Sequence, residues 1–194
     1  MALFSRNELS FRHHRRRIRL GAMRQVLIII IEIAAALVLA FLLVYGLGLR
    51  VNVSGNSMET TLSDGESVFV NRLAYRVGSP KSGDVVVFMP NGNEKSPYYI
   101  KRVVAAPGDS VQIKDGVIYV NDVMFDDKDT EAVADAGLAE EKLTMGDDEY
   151  FVIGDNRNSS EDSRYTSFGN VKKEYIIGKA WFHYDAINDL GRVK

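Results

Sequence analysis

Two residues far apart in the chain have the types and settings that nucleophilic chemistry requires. Ser57 lies in VSGNSMETTL, where Gly55 permits unusual backbone geometry beside a hydroxyl. A serine near a glycine is most often only a turn residue, so this segment says little alone. Lys101 lies in YYIKRVVAAPGD, with apolar neighbours on both sides. Strand alternation sends Lys101 and Arg102 to opposite faces, so one long cation can point inward while the other stays in water. In apolar surroundings the charged form of a lysine is disfavoured, and its pKa falls from about 10.4 toward neutrality. A neutral amine of that kind can serve as general base for a serine. The ordinary alternative is a surface lysine whose stem lies along apolar groups and whose head reaches water. A third segment, GDNRNSSEDSR at 154–164, is too elaborate for a simple turn and weighs against that alternative.

Composition narrows the chemistry. The chain has no cysteine and only three histidines, two of them (His13, His14) in a basic N-terminal run. A thiol nucleophile and a thiolate metal site are excluded, and little remains for a histidine metal site. No metal and no organic cofactor is expected.

These segments need a frame. The formal net charge of -2 hides an asymmetry, because residues 1–24 carry seven arginines against Glu8, and the body beyond is acidic. Next comes an apolar run from Val26 to Leu49, interrupted only by Glu32. About 20 apolar residues cross the hydrocarbon core as a helix. The arginines precede the run and only Arg50 follows closely, which predicts a cytoplasmic N-terminus and an extracytoplasmic body. A cleavable leader would be shorter and end in small residues. The RHHRRRIR run reads as a topology signal that also contacts anionic lipid, not as a nucleic-acid site. The expected division is a basic head at 1–25, a transmembrane helix at 26–49 in the cell membrane and an extracytoplasmic domain at 50–194.

After Arg50 the pattern changes to short β-branched and aromatic runs. SVFVN (67–71), DVVVFM (84–89), YYIKRVVAA (98–106), SVQIK (110–114), VIYVN (117–121), EYFVIG (149–154) and YIIGKAWFHY (175–184) fit strands. Asp115-Gly116 predicts a hairpin turn between two of them. The fold class is therefore mainly β, a coiled antiparallel sheet or barrel-like domain behind one N-terminal helix. Residues 122–149 hold eleven acids against two lysines. They lack the alternating ligands and turn glycine of a calcium loop, so an acidic surface excursion at about 122–148 is expected, with a helix conceivable near 130–142. Replacing 126–146 by a short linker should then leave activity within several-fold.

Taken together, SGNSMETTL, GESVFVNRLAY, GDVVVF, YIKRVVAAPGD and GDNRNSSEDSRYTSFGNV resemble, in order and spacing, the boxes of type I signal peptidases, the S26 family of Ser/Lys proteases. The single anchor is similar to the Gram-positive form. The resemblance implies Ser57 as nucleophile, Lys101 as base and Ser160 as the hydroxyl that orients the lysine amine. It implies that Asp155, Arg157, Asp162 and Arg164 buttress the site. Substrates would be signal peptides of exported preproteins, cut after small residues at -3 and -1, with the lipid bilayer as the other partner and a monomer as the working unit.

Two departures stand out. Thr60 occupies the usual proline position, so Thr60→Pro should stabilise if the native φ suits proline. Gly55 occupies a position where some members carry a hydroxyl for the oxyanion, which leaves the Ser57 amide and whatever space Gly55 leaves. Two other classes share parts of this pattern. A non-catalytic accessory of pilus assembly should have lost Ser57 or Lys101, and both are present. A self-cleaving repressor of the Ser/Lys type would be cytosolic with a DNA-binding head, which the apolar span opposes.

Overall fold

A computed structural model describes residues 20–125, 131–185 and 190–193 of the 194-residue chain. The chain divides into two compact units, Met1–Tyr45 and Gly46–Lys194.

Helix α1 spans Leu20–Leu47. Within it, Met23–Leu42 has a mean hydropathy of 2.7 and is long and apolar enough to cross a membrane. The apolar run predicted to 49 leaves the helix two residues early, because Gly48 and Leu49 open the first strand. The cause is packing. Val51 is buried in the β core and Leu49 packs against it, so this end of the run is held by the sheet.

The second unit is mainly antiparallel β, as the sequence predicts. Its strands are β1 (Gly48–Asn52), β2 (Ser67–Asn71), β3 (Val85–Phe88), β4 (Tyr99–Ala105), β5 (Ser110–Lys114), β6 (Val117–Val120), β7 (Val123–Met124), β8 (Leu143–Thr144), β9 (Glu149–Ile153), β10 (Val171–Lys172), β11 (Ile176–Tyr184) and β12 (Leu190–Arg192). One curled sheet runs β1-β2-β11-β3-β4-β9-β10, with β12 added on β11, and a smaller sheet runs β7-β6-β5-β8. Lys114 pairs with Val117, so Asp115 and Gly116 form a two-residue loop, both at positive φ (51° and 77°). That is the primed turn whose twist suits a hairpin.

Strand alternation builds the cores. Val85, Val87 and Ile100 face one apolar cluster with Met58 and Leu62, while Val86, Phe88 and Val103 face another with Tyr150 and Val152. β4, flanked by β3 and β9, therefore has both faces covered.

The acidic excursion departs from expectation. Residues 131–142 form no α-helix, only a 3-10 turn at Gly137–Glu140. Val133, Ala139 and Met145 are buried against the smaller sheet, so three apolar anchors fold the segment down among its exposed acids. It is also tied to the segment at 154–164. The Leu138 amide donates to the Arg164 carbonyl (2.8 Å), and Arg164 Nη1 donates to the Asp135 carbonyl (3.1 Å).

Candidate active site

Lys101 sits mid-strand in β4, opposite Val86 of β3. Its residue is only 4% exposed, yet its Nζ reaches the Ser160 hydroxyl at 2.8 Å. Burial pushes the amine down from 10.5 to about 8, and nearby Asp162 opposes that shift. A fraction of the amine is thus neutral near physiological pH.

Ser160 is itself buried. Its carbonyl accepts from Arg164 Nη2 at 3.2 Å, and the same nitrogen donates to the Arg157 carbonyl at 2.7 Å. Arg164 also binds Asp162 through Nε (2.8 Å) and Nη2 (2.9 Å). Asp162 in turn accepts the Gly154 amide at 3.1 Å. This bidentate pair stitches both ends of the 154–164 loop and fixes the position of Ser160. Arg157 is buried too. Its pKa falls to about 10, first through burial and then through repulsion from Arg102 and Arg164, so it stays cationic at neutral pH.

Ser57 is half-buried, between exposed Asn56 and buried Met58. Met58 and Leu62 plug the apolar core beneath, so the loop is anchored from below. From the side, Asn156 holds it twice. Its amide donates to the Ser57 carbonyl (3.1 Å) and its side chain to the Asn56 carbonyl (3.1 Å). Gly154 makes the approach possible. A Cβ at this position would lie 2.2 Å from Ser160 Oγ and 2.4 Å from the Ser57 carbonyl oxygen. The serine loop and the lysine-bound hydroxyl therefore meet across the one residue that has no side chain.

Arg102 does not stay in water. It forms a bidentate pair with Asp155, Nε to Oδ1 at 2.7 Å and Nη2 to Oδ2 at 2.6 Å. Thr61 donates to Asp155 at 2.6 Å and accepts from Arg102 at 3.2 Å. This triad joins the loop of Ser57, the strand of Lys101 and the segment of Ser160, on the β4 face opposite Lys101.

The structure thus brings Ser57, Lys101, Ser160, Asp155, Asp162, Arg157 and Arg164 into one region. Gly55 has a different setting. At φ +88 its amide donates to Asp64 Oδ1 (2.8 Å), so that N–H is committed, while no atom lies within 4 Å of where its Cβ would be. Thr60 corrects the proline expectation, because its φ is +87°. Proline cannot adopt that angle, and a β-branched residue holds it only under strain. Gly154, Asn156, Thr61 and Arg102 were missed from sequence. Glycine before an acid-rich loop was the only available sign, since the other contacts span long stretches of chain.

Comparison with known proteins relates the chain to a family. A family model described as signal peptidase, peptidase S26, matches residues 24–184. The signal peptidase I of Bacillus licheniformis is 36% identical over 173 residues, covering 84% of this chain and 88% of that protein. The signal peptidase IB of Staphylococcus aureus (strain COL) is 35% identical over 177 residues, covering 83% of this chain and 90% of that protein. A crystal structure of a signal peptidase I from Enterococcus faecalis V583 shows 27% identity and a TM-score of 0.41, over 52% of this chain and 96% of that one. The chain belongs to the S26 signal peptidase family and is a peptidase of that class.

Proposed function

We infer that this protein removes signal peptides from exported preproteins by a Ser57/Lys101 dyad, held at the outer face of the membrane by α1. The carrying observation is a buried lysine at about 8 whose amine is hydrogen-bonded to Ser160, across Gly154 from the serine loop. Neutral Lys101 accepts the Ser57 proton as Oγ attacks the scissile carbonyl. The negative oxygen of the tetrahedral intermediate is received by the Ser57 amide, which has no acceptor among the described residues. The Lys101 ammonium then protonates the leaving amine, the C–N bond breaks, and an acyl ester on Ser57 remains. Water, deprotonated by Lys101, hydrolyses that ester and restores both groups.

Anchoring suits this substrate, because a translocated signal peptide presents its cleavage point at the membrane surface. Ser57 follows β1 within a few residues, so the site is tethered where the substrate emerges. Cleavage after small residues at -3 and -1, an extracytoplasmic body at 50–194 and a monomeric working unit complete the reading. The test is the full chain in proteoliposomes with an exported preprotein. Wild type should release the mature protein and Ser57→Ala should not; cleavage by Ser57→Ala at the wild-type rate would overturn the assignment.

A further inference from the structure

Two residues along β4 from Lys101, Tyr99 lines a pocket that the dyad chemistry leaves unused. Phe88 pairs with Tyr99 as Val86 pairs with Lys101. Tyr99 therefore shares a sheet face with Lys101, two residues and about 7 Å along the strand. Phe168 stacks on Tyr99 at 5.9 Å and meets Phe88 edge-on at 6.0 Å. With Tyr175 and Glu161 these rings wall an open-mouthed pocket whose cavity volume is about 110 Å³. Gly92 makes room for the Tyr175 ring, since a Cβ there would stand 2.5 Å from it.

Among the described residues, Glu161 is the one charge in this wall. It follows Ser160 directly, is exposed, and accepts a 3.3 Å hydrogen bond from Ser167. Among the described residues it has no ion-pair partner. Its charge also reaches Lys101, where it favours the ammonium. Four aromatic rings and a carboxylate at the rim match one kind of side chain. The methylene stem of a lysine or arginine lies along rings while its cation meets the carboxylate and the ring faces. A neutral apolar side chain would screen the carboxylate from water without replacing the lost partner.

We propose that this pocket is a substrate subsite for a lysine or arginine flanking the scissile bond, with Glu161 as the specificity-determining residue. The occupant is the polypeptide being cut, because two lining residues border the dyad's lysine and its hydroxyl partner: Tyr99 lies two residues from Lys101 on the same strand face, and Glu161 follows Ser160. The position of the subsite rests on the dyad reading above. A cation bound there also neutralises a charge that holds the proton on Lys101, so a basic substrate eases formation of the free amine.

Peptides with lysine walked through three positions on each side of the cleavage point, against norleucine controls, test this on the full chain in lipid-detergent micelles. At one position lysine should raise kcat/KM about fivefold, the scale of one well-placed charge pair. Its pH profile should rise at lower pH than the norleucine peptide's. Glu161→Gln should remove both effects, and Glu161→Lys should shift preference to glutamate at that position. A flat scan, or a lysine preference that survives in Glu161→Gln, would overturn the subsite. Failure of the dyad is a separate signal: Ser57→Ala would cut these peptides, and the lysine-to-norleucine binding ratio would still report on the pocket.

Discussion

Lys101 Nζ and Ser160 Oγ stand 2.8 Å apart across 59 residues of sequence, and both residues are buried. One hydrogen bond thus sets the direction of the amine. Ser160→Ala should lower kcat at least about tenfold with little change in KM, since general-base catalysis depends on that aim. Lys101→Arg should be inactive, because guanidinium does not release its proton near neutral pH. Single-turnover cleavage of a preprotein measures both, and a near wild-type Lys101→Arg would end the general-base role.

Activity should rise with pH through about 8, where Lys101 loses its proton. Stability carries the same signature. Between about 8 and the ordinary 10.5 the unfolded chain holds a proton that the folded chain has lost, so stability rises with pH across that window. Below it, burying the ammonium costs on the order of 3 kcal/mol. Lys101→Met should therefore be dead yet melt higher at pH 7, with the gain fading above pH 10. Calorimetry at the two pH values decides; an equal or lower melting temperature at pH 7 would contradict the burial cost.

Gly154→Ala places a methyl 2.2 Å from Ser160 Oγ and 2.4 Å from the Ser57 carbonyl. One of the two must retreat. Activity should fall about a hundredfold, the cost of a small misplacement of reacting groups, while the protein stays folded by circular dichroism. Activity within twofold of wild type would show that the serine loop and Ser160 need not meet at this distance.

At Thr60 the left-handed backbone favours glycine. Thr60→Gly should stabilise by about 1 kcal/mol, and Thr60→Pro should destabilise by more than that. Chemical denaturation gives both values. A stabilising proline would mean the loop turns at another residue.

The excursion should matter to the site through Arg164. Val133→Asp buries a carboxylate in the smaller core, frees the segment and loosens the Asp135 contact to Arg164. Cleavage should drop several-fold and the unfolding free energy should fall by about 3 kcal/mol. Retention of both would return the segment to the status of a surface appendage.

Much of the fold was legible because its signals are local. The strands at 67–71 and 110–114 match the predicted bounds, and the Asp115-Gly116 turn needed only two residues to announce itself. The short strands β7, β8 and β10 carry no periodicity of their own and exist because a neighbour offers a ladder. The site divides the same way. Ser57, Lys101 and Ser160 each lie in a segment with an unusual local pattern. The Arg102–Asp155–Thr61 triad does not, since it depends on which loops end up adjacent. Thr60 was misjudged because φ is invisible in a side-chain pattern.

That triad has a consequence for timing. Thr61, Arg102 and Asp155 come from the early, middle and late parts of the folded body, and Ser57, Lys101 and Ser160 follow the same division. A chain still emerging in order has a serine loop without its side support, and later a lysine without the hydroxyl that aims it. No fragment ending before residue 164 holds the Arg164 bonds that fix Ser160. Cutting power therefore arrives in one step, after the last loop has closed. On the proposed mechanism, a peptidase with an apolar N-terminal segment of its own stays disarmed until that loop has formed.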